Sequence, residues 1–457
     1  MNLTIRELIK ILNGELILGN PKMVAKRAVI DSRNIKSGDL FFALKGERVD
    51  GHSYALSVSS SGAAGLVVSH MEWLNQRRQL SSSVILVDNV ADALRKLGKS
   101  LRMCFNGPVI GITGSNGKTT TKQMLTSVMA PLGQGLSTKG NLNSQIGLPL
   151  MISELTTEDK WMVLEMGASE AGNISALAEI ARPKIGVLTS IGPAHLKTFG
   201  SLQKIAAAKW ELMDALPFDG VAVVPWGEPL LEPHVHSYLN RIVYFGEDPS
   251  CPVRASRIEV GLQVGFVLHL AGTSAEVKLP LGGRFNVNNA LAAAAVGWIL
   301  ERPLAEIIQQ LECFEPPKMR MEPMSHSSGA IFLNDAYNAN PASMLHSVRS
   351  LVESFPDKEK VLMLGSMLEL GEDADRMHFH LGTELAKLPL EGVFLYGDET
   401  EKILDGAIAA GGSKKKIERI HSPEEAVSRL KTFLKPNTII MFKGSRGMKL
   451  EEIINAL

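Results

Sequence analysis

The segment from Thr113 to Thr120, TGSNGKTT, constrains the fold of this chain more than any other feature. It connects an apolar run at 108–112 to a stretch of helical character that begins near Thr121. At such a turn, glycines let backbone N–H groups surround a polyphosphate, a lysine supplies a mobile cation, and the next threonine can ligate Mg²⁺. The segment therefore predicts a nucleotide-binding P-loop, with Lys118 on the phosphates and Thr119 on the metal.

The glycine spacing of this loop differs from that of the common P-loop. The common motif has a glycine five residues before its second one, and here Ile112 holds that position, with Gly114 two residues later. An ordinary strand-to-helix turn can also be rich in glycine. The order of strand, Gly-Lys-Thr and helix favours nucleotide binding over that alternative.

The composition argues against several classes of protein. A chain of 457 residues is long enough for about three domains. Lys plus Arg equals Asp plus Glu at 48 each, which gives no overall attraction to nucleic acid or to an anionic membrane. The three cysteines are widely separated and lack the paired spacing of zinc or redox motifs, as is typical of a reducing cytoplasm. Residues 1–19 fit an amphipathic helix better than a signal sequence, and no segment reaches membrane-spanning length. We therefore expect a cytoplasmic protein without membrane insertion.

Alternating strands and helices predict an α/β protein with three domains. Short apolar runs that alternate with turns predict a small N-terminal α/β domain at 1–89. The P-loop strand and further strands with helices between them predict a mainly parallel sheet in a central domain at 90–313. Pro316 and Pro317 indicate a linker, after which a C-terminal Rossmann-like domain at 314–457 repeats the alternation. The predicted strands are 39–44, 65–68, 84–87, 161–166, 185–190, 220–225, 361–364, 392–396 and 438–442, and the predicted helices are 91–103, 375–387, 400–410 and 423–434.

Polar residues follow other predicted strands as well. Glu165 and His195 each come after an apolar run, and ligand-facing residues collect at the carboxyl ends of parallel strands. A carboxylate is a natural Mg²⁺ ligand, whereas imidazole is an uncommon one, so His195 taken alone fits a hydrogen-bonding loop residue. Lys209 lies on a probable helix and, taken alone, fits a surface lysine.

Two further turns, 335–343 (DAYNANPAS) and 443–446 (KGSR), are rich in polar side chains. Asn, Asp and Ser favour helix starts, and proline suits the first helical position, so the first turn fits an ordinary helix cap as well as a binding site. The second turn could bind an anionic group or cap a helix. The residue types alone leave these alternatives open.

Taken together, these motifs resemble the Mur ligases of peptidoglycan synthesis over all three predicted domains. The P-loop is shared by the whole family. The stretch 337–341 (YNANP) is similar to the signature of one branch, the MurF family, which adds D-alanyl-D-alanine to UDP-N-acetylmuramoyl-tripeptide. Further matching motifs are 31–33 (DSR), Gly46, 50–52 (DGH), 138–143 (TKGNLN), 192–196 (GPAHL) and 443–446 (KGSR).

The resemblance implies an N-terminal domain that holds the UDP-sugar, a central ATPase domain, and a C-terminal domain that closes over ATP and binds the dipeptide. ATP would phosphorylate the terminal carboxylate of the tripeptide, and the amine of D-alanyl-D-alanine would attack the acyl phosphate. The products would be UDP-N-acetylmuramoyl-pentapeptide, ADP and phosphate. The implied partners are small molecules, and the family suggests a monomer.

The resemblance also assigns site residues. Thr119 and Glu165 would hold Mg²⁺, and His195 would help to place a second ion. Lys209 matches a lysine that family members carry as a carbamate, which turns a cation into an anion able to support a metal ion. The implied catalytic residues are Lys118, Lys209 and His195. The implied ATP-binding residues are Gly114, Ser115, Asn116, Gly117, Lys118, Thr119, Thr120, Asn289, Arg320 and Asp335. The implied UDP-sugar-binding residues are Ser32, Arg33, Gly46, Asp50, His52, Thr138, Asn141 and Asn143, and the implied dipeptide-binding residues are Tyr337, Asn338, Asn340 and Ser343.

The chain departs from the family pattern at several positions, which bear on adenine packing and domain closure. These are Phe285 for a histidine, Met319 for a glycine, Ser366 for an aspartate, and Ser144 and Ser190 for asparagines.

Three alternatives follow for the function. A sister Mur ligase that adds a single amino acid would differ across 337–341. A non-catalytic nucleotide-binding descendant would be expected to lose Lys118 or Glu165, and both are present. A P-loop kinase or GTPase would turn over without any dipeptide.

Overall fold

The computed structural model of the protein describes residues 1–46, 49–72 and 80–457. Its larger sheets have five, nine and six strands, one sheet in each of the three predicted domains. Parallel pairs dominate the core of each sheet, and helices cover the faces. The predicted α/β class with three domains is confirmed. Across the described ranges, no helix is both long enough and apolar enough to cross a membrane.

The N-terminal domain begins with a short capped helix. The Thr4 side chain accepts a hydrogen bond from the backbone N–H of Glu7, and the Glu7 carboxylate accepts one from the Thr4 backbone, which forms a capping box. Ile5, Leu8 and Leu12 recur at helical spacing and are buried against the sheet. The sheet strands in spatial order are Glu15–Leu18, Ser83–Leu86, Gly65–Val68, Asp39–Phe42 and Arg27–Val29, the first pair antiparallel and the others parallel. A two-stranded ribbon pairs Leu3–Thr4 with Val24–Ala25, and the helices are Ile5–Leu12 and Ala55–Ser60.

The P-loop strand lies inside the nine-stranded central sheet. Val109–Thr113 is parallel to Met162–Glu165 on one side and to Ile185–Leu188 on the other. The strand order reverses here, and a reversal of this kind opens a crevice for ligands at the carboxyl ends of the strands. The spatial order is Thr273–Leu279, Val264–Leu270, Val253–Glu259, Arg241–Gly246, Val221–Pro225, Ile185–Leu188, Val109–Thr113, Met162–Glu165 and Leu136–Ser137. The helices of residues 90–313 are Val90–Met103, Lys118–Met129, Gly147–Ser153, Asn173–Ala181, Leu196–Phe199, Leu202–Asp214, Glu232–Val235, Phe285–Ile299 and Leu304–Cys313.

One side of this sheet was not predicted from the sequence. The four strands between Arg241 and Leu279 extend it, the last three joined as antiparallel neighbours. Buried and half-buried residues alternate along Val264–Leu270, which is the period of a strand with one face in a core. The helix Phe285–Ile299 covers that face, and its small alanines at 290 and 292–295 pack in the same core as Ile110 and Ile112.

The C-terminal sheet repeats the parallel arrangement. Its strands in spatial order are Glu322–Ser325, Ile331–Asn334, Thr438–Lys443, Glu359–Gly365, Gly392–Tyr396 and Ile417–Ile420, with only the first pair antiparallel among those described. The helices are Pro341–Ser354, Ala374–Leu385, Glu401–Ala409, Pro423–Leu430 and Leu450–Ala456. The boundary at 313/314 remains a prediction. So does the one at 89/90, where the helix Val90–Met103 packs on the N-terminal core through Val90, Leu94 and Leu97.

Candidate active site between the central and C-terminal domains

A cavity of about 750 Å³ lies where the central and C-terminal domains meet. Its described lining comes entirely from residues 114–443, so none of the predicted N-terminal site residues borders it. The predicted residues that do line it are the P-loop residues 114–120, Asn143, Glu165, His195, Lys209, Asn289, Arg320, Asp335, Tyr337, Asn338, Asn340 and Ser343. The structure therefore brings the predicted ATP, metal and dipeptide residues to one cavity.

The P-loop has a backbone that only glycine accommodates well. Gly114 has a φ of 148° and Gly117 a φ of 83°, both in a region that L side chains rarely adopt. A Cβ on Gly117 would lie 2.3 Å from Oδ1 of Asn289, so the loop is also packed tightly against the helix Phe285–Ile299. Lys118 donates from Nζ to the carbonyl oxygen of Gly114 at 2.7 Å, and its burial lowers the pKa of its ammonium.

Glu165 is the buried acceptor in this part of the cavity. Its Oε2 accepts a hydrogen bond from the Thr119 hydroxyl at 3.1 Å, and its Oε1 accepts one from Nδ2 of Asn143 at 2.9 Å. Lys122 lies 3.9 Å from Oε2 and donates to the carbonyl oxygen of Thr138 at 2.6 Å. A hydroxyl and a carboxylate in contact are hard oxygen donors of the kind that Mg²⁺ prefers, so this pair fits the ion.

Lys209 is a buried amine on the helix Leu202–Asp214, with 2% of its surface exposed. Burial, aided by the charge of Lys118, lowers its pKa from 10.5 to about 7. Within the described ranges, its ammonium has no hydrogen-bond or ion-pair partner. The surface-lysine interpretation is therefore wrong, because the side chain is buried. With a pKa of about 7, a substantial fraction of the amine is neutral at pH 7, and a neutral amine in a cavity wall is a potential nucleophile.

His195 lies at the start of a short helix with a left-handed φ of 51°. Burial lowers the pKa of its imidazole, which Glu369 of the C-terminal domain opposes. Its Nδ1 is 3.3 Å from Oε2 of Glu369. The pair therefore joins the two domains at the edge of the cavity.

The C-terminal domain contributes Arg320 to the P-loop side. Its Nη2 donates to the Thr119 hydroxyl at 3.1 Å, and its guanidinium lies 4.3 Å from the ring centroid of Tyr337. Its Nε is buried without a hydrogen-bond partner in the described part of the chain. An arginine with an unused donor beside a phosphate loop fits phosphate recognition.

Asp335 follows the strand Ile331–Asn334 and has its own buried partners. Its Oδ2 accepts hydrogen bonds from Lys443 Nζ at 2.6 Å and from the Ser347 hydroxyl at 2.7 Å. Lys443 also donates to the carbonyl oxygen of Asn338 at 3.2 Å. Lys443, the first residue of the 443–446 turn, thus holds the 335–343 turn in place through these two hydrogen bonds.

The signature stretch is both a helix cap and part of the cavity wall. Asn340 caps the helix Pro341–Ser354 in a capping box with Ser343. Asn338 and Tyr337 line the cavity beside it. The two interpretations of this turn are therefore not exclusive.

The predicted sugar-binding residues fall into two groups. Thr138 and Asn143 contact Glu165 in the central domain, since the Thr138 hydroxyl accepts from the Glu165 backbone N–H at 2.9 Å. Asn141 lies in the adjoining turn, outside the cavity lining. Ser32, Arg33, Gly46, Asp50 and His52 lie in the N-terminal domain.

Two of these N-terminal residues form a fixed pair. Asp50 accepts from the His52 backbone N–H, which is the largest reason that its pKa falls to about 2, and its Oδ1 is 2.6 Å from His52 Nδ1. The Ser69 backbone N–H donates to His52 Nε2 at 3.0 Å, so the proton is on Nδ1. Asp50, His52 and His70 have ligand atoms within 4.8 Å of one another, but this tautomer leaves His52 without a free nitrogen for a metal ion.

Sequence reasoning missed Lys122 and Glu369. Lys122 follows Lys118 by one helical turn, so the same helix face could have revealed it. Glu369 follows a strand and a loop, and its approach to His195 depends on how two domains meet. No local pattern carries that signal.

The departures from the family pattern have structural consequences. Met319 has a φ of 59°, in the region that favours the glycine expected there. Ser190 accepts a hydrogen bond from the Asn116 backbone N–H at 3.0 Å, and Ser144 accepts one from Gly147 at 3.2 Å. Phe285 borders the cavity and packs against the C-terminal core.

Three family models match successive parts of the chain. They are described as Mur ligase family, catalytic domain, at residues 27–101, Mur ligase middle domain at 112–297, and Mur ligase, glutamate ligase domain, at 319–446.

Proteins similar to the chain over nearly their whole length are known from several bacteria. The UDP-N-acetylmuramoyl-tripeptide–D-alanyl-D-alanine ligase of Bacillus subtilis is 33% identical, with 99% of this chain and 98% of the relative covered. The enzyme of the same name from Escherichia coli is 30% identical, with 100% and 98% covered. The crystal structure of MurF from Acinetobacter baumannii is 32% identical with a TM-score of 0.91, covering 100% of this chain and 99% of that one. The MurF ligase of Thermotoga maritima in complex with ADP is 30% identical with a TM-score of 0.84, covering 94% and 96%. The chain belongs to the Mur ligase family, in its MurF branch.

Proposed function

We propose that the protein is an ATP-dependent ligase that joins D-alanyl-D-alanine to UDP-N-acetylmuramoyl-tripeptide. The products would be UDP-N-acetylmuramoyl-pentapeptide, ADP and phosphate. The observation that carries the proposal is that residues 337–340 of the signature stretch and the P-loop line one cavity. The names and identities of the full-length relatives support the same reaction.

The chemistry requires two consecutive displacements. A carboxylate is a poor electrophile, so its oxygen first takes the γ-phosphoryl group as the bond to ADP breaks. The dipeptide amine then attacks the carbonyl carbon, the carbon–oxygen bond to phosphate breaks, and the amine loses a proton. Each step needs its reactants held close together in a site that keeps water out.

Lys118 is proposed to neutralise the phosphates during the first displacement. Asn289, Arg320 and Asp335 complete the nucleotide site with the other P-loop residues. The ADP complex of the Thermotoga relative supports use of ATP by this fold. Because Arg320 and Asp335 belong to the C-terminal domain, the nucleotide site is complete only when the domains are closed.

Thr119 and Glu165 are the proposed Mg²⁺ ligands, on the strength of their direct hydrogen bond. His195 and Lys209, the latter as a carbamate, are proposed to support a second ion. Bound magnesium would offset the charge that gathers on the transferring phosphoryl group. The neutral amine of Lys209 near pH 7 is the form that reacts with CO₂, which supports the carbamate.

The substrates are proposed to enter from different domains. The UDP-sugar residues are Ser32, Arg33, Gly46, Asp50, His52, Thr138, Asn141 and Asn143, and the dipeptide residues are Tyr337, Asn338, Asn340 and Ser343. The domains are proposed at 1–89, 90–313 and 314–457. We also propose that the protein is a monomer, as the family suggests. We propose that it acts in the cytoplasm, because both cosubstrates, ATP and a sugar nucleotide, are made there.

The test is phosphate release from ATP and Mg²⁺ in the presence of UDP-N-acetylmuramoyl-tripeptide, with and without D-alanyl-D-alanine, and with the product mass recorded. Dipeptide-dependent release with a pentapeptide product is expected. Release only with a single amino acid would instead identify a sister ligase. Tight ATP binding without phosphate release would identify a non-catalytic descendant. Phosphate release that needs neither D-alanyl-D-alanine nor a single amino acid would identify a phosphotransferase or NTPase.

A further inference from the structure

The side-chain amide of Asn340 has a hydrogen-bond partner at each end. Its Oδ1 accepts a hydrogen bond from the Ser343 backbone N–H at 2.9 Å, as a helix cap does. Its Nδ2 donates to Oδ1 of Asn116 in the P-loop at 2.8 Å. Because a backbone N–H can only donate, the first contact fixes which end of the Asn340 amide is the oxygen.

Ser343 is engaged in the same way. Its hydroxyl donates to the carbonyl oxygen of Asn340 at 3.0 Å and accepts from the backbone N–H of Asn340 at 3.0 Å. Asn338 differs, because its Oδ1 accepts from the adjacent Ala339 N–H while its Nδ2 has no partner among the described residues. Nδ2 of Asn340 has given one of its two N–H donors to Asn116, whereas both N–H donors of Asn338 remain for the dipeptide.

The other end of the contact is held rigidly. The Asn116 backbone N–H donates to the Ser190 hydroxyl at 3.0 Å, and the Asn116 carbonyl oxygen accepts from the Thr189 hydroxyl at 2.5 Å. The same face brings the helix start close to the neighbouring loop, since a Cβ on Gly192 would lie 3.7 Å from Cβ of Ala342. The hydrogen bond to the Asn116 side chain therefore fixes the start of the helix Pro341–Ser354 relative to the phosphate loop.

We propose that Asn340 is a positioning residue that couples the dipeptide turn to the nucleotide site through its hydrogen bond to Asn116. The proposal rests on the proposed function and revises one residue role within it, from dipeptide ligand to interdomain connector. When the dipeptide orders the 337–340 turn, it holds the hydrogen bond between Asn340 and Asn116 in place. This hydrogen bond keeps the two domains closed, so that Arg320 and Asp335 complete the nucleotide site. Dipeptide and nucleotide binding are therefore mutually reinforcing, as linkage requires.

The test separates the two ends of the Asn340 amide. Asn340→Ser keeps a good N-cap but is too short to reach Asn116, whereas Asn340→Ala loses both contacts. The measurements are ADP affinity by calorimetry, with and without D-alanyl-D-alanine, the KM values for ATP and dipeptide, and the melting temperature. Asn338→Ala is the matched variant in the same turn.

Asn340→Ser should weaken ADP binding in the presence of dipeptide and raise the KM for ATP by about fivefold, the effect of one neutral hydrogen bond. Its melting temperature should stay close to that of the wild type, and its dipeptide KM should rise only in parallel with the KM for ATP, because the coupling is reciprocal. Asn338→Ala should raise the dipeptide KM alone. In the Asn116→Ala background, Asn340→Ser should have no further effect on ADP affinity, because the acceptor is already gone.

An increase in the dipeptide KM alone in Asn340→Ser would overturn the proposal, because it would make Asn340 a direct ligand. Additive effects of Asn340→Ser and Asn116→Ala on ADP affinity would also overturn it. Failure of the proposed function gives a different result, namely no pentapeptide product from the wild type. ADP affinity without dipeptide, compared across the four variants of the cycle, needs no turnover and still tests the contact in that case.

Discussion

Arg320 of the C-terminal domain donates a hydrogen bond from Nη2 to the hydroxyl of Thr119 in the P-loop, at 3.1 Å. The same hydroxyl donates to Glu165, so its oxygen carries one cationic and one anionic neighbour. A magnesium ion held by this oxygen would need the lone pair that now accepts from the guanidinium. We therefore expect Arg320 to give up this hydrogen bond and to contact a nucleotide phosphate when the nucleotide binds.

Arg320→Lys should raise the KM for ATP by about tenfold, because lysine cannot supply the planar pair of donors. It should also lose part of the stacking on Tyr337. Steady-state kinetics at saturating dipeptide measures both kcat and KM. Arg349→Lys, an exposed arginine paired with Glu384 in the same domain, is the control and should match the wild type. An unchanged KM for ATP in Arg320→Lys would remove Arg320 from the nucleotide site.

Lys122→Met should lower the Mg²⁺ concentration needed for half-maximal activity, because the Lys122 ammonium beside Glu165 repels a bound cation. The variant keeps the packing volume but removes the ammonium beside Glu165 and the donor to the Thr138 carbonyl oxygen. An unpaired buried carbonyl costs about 1–3 kcal/mol, so the unfolding free energy should fall by that order. Titrations of activity and of thermal stability with Mg²⁺ measure the two effects.

The control for Lys122 is Lys139→Met. Lys139 lies in the turn that follows Thr138, but it is exposed and pairs with Glu154. It should change neither the Mg²⁺ requirement nor the unfolding free energy by more than a few tenths of a kcal/mol. Equal behaviour of the two variants would show that Lys122 has no special role at the metal site.

The sequence predicted the site where the chemistry is local and missed it where domains meet. The P-loop could be predicted because glycines, Lys118 and Thr119 are adjacent in sequence and sit between a strand and a helix. Interpreted alone, Lys209 fitted a surface lysine, and that prediction is wrong because its burial depends on the packing of a whole helix. The role that the resemblance implies for it stays a prediction. The contacts of Asn340 with Asn116 and of Glu369 with His195 join residues far apart in the chain, and their existence depends on domain orientation. The strands from Arg241 to Leu279 were missed although they are local, since the alternation along Val264–Leu270 is typical of a half-buried strand.

Gly117→Ala should abolish nucleotide binding. The alanine would have to keep the backbone φ of 83°, and its Cβ would lie 2.3 Å from Oδ1 of Asn289. Gly172→Ala provides a close control, because Gly172 also has a φ of 83° but nothing lies within 4 Å of its Cβ position. Both variants carry the backbone strain of roughly 1–2 kcal/mol, and only Gly117→Ala carries the clash. Comparable losses of ADP affinity, measured by calorimetry, would mean that the tight packing of the P-loop on Asn289 is unimportant.

Lys209 should make the protein more stable as the pH rises above 7. Its pKa is lowered from 10.5 to about 7 in the folded chain, so between these values the unfolded chain binds a proton that the folded chain does not. The penalty for burying the ammonium is complete below pH 7 and is relieved as the pH rises toward 10.5. In CO₂-free buffer, the unfolding free energy of the wild type minus that of Lys209→Met should therefore become more positive by on the order of 1 kcal/mol per pH unit in this window. Chemical denaturation at pH 6, 7, 8 and 9 measures it, and a difference that does not change with pH would show that the amine is not held neutral.

The same amine predicts how activity depends on CO₂. Only the neutral amine attacks CO₂, forming a nitrogen–carbon bond and releasing a proton, so the carbamate should accumulate as the pH rises through about 7. Nuclear magnetic resonance with ¹³C-labelled bicarbonate should show one slowly exchanging carbamate signal that disappears in Lys209→Ala and persists in Lys204→Ala, a variant of an exposed lysine on the same helix. Lys209→Ala should be inactive and regain part of its activity with short carboxylic acids, because these restore a negative oxygen at the vacated position. Full activity of Lys209→Ala without added acid would exclude the carbamate from the reaction, since the reaction would then proceed without its negative charge.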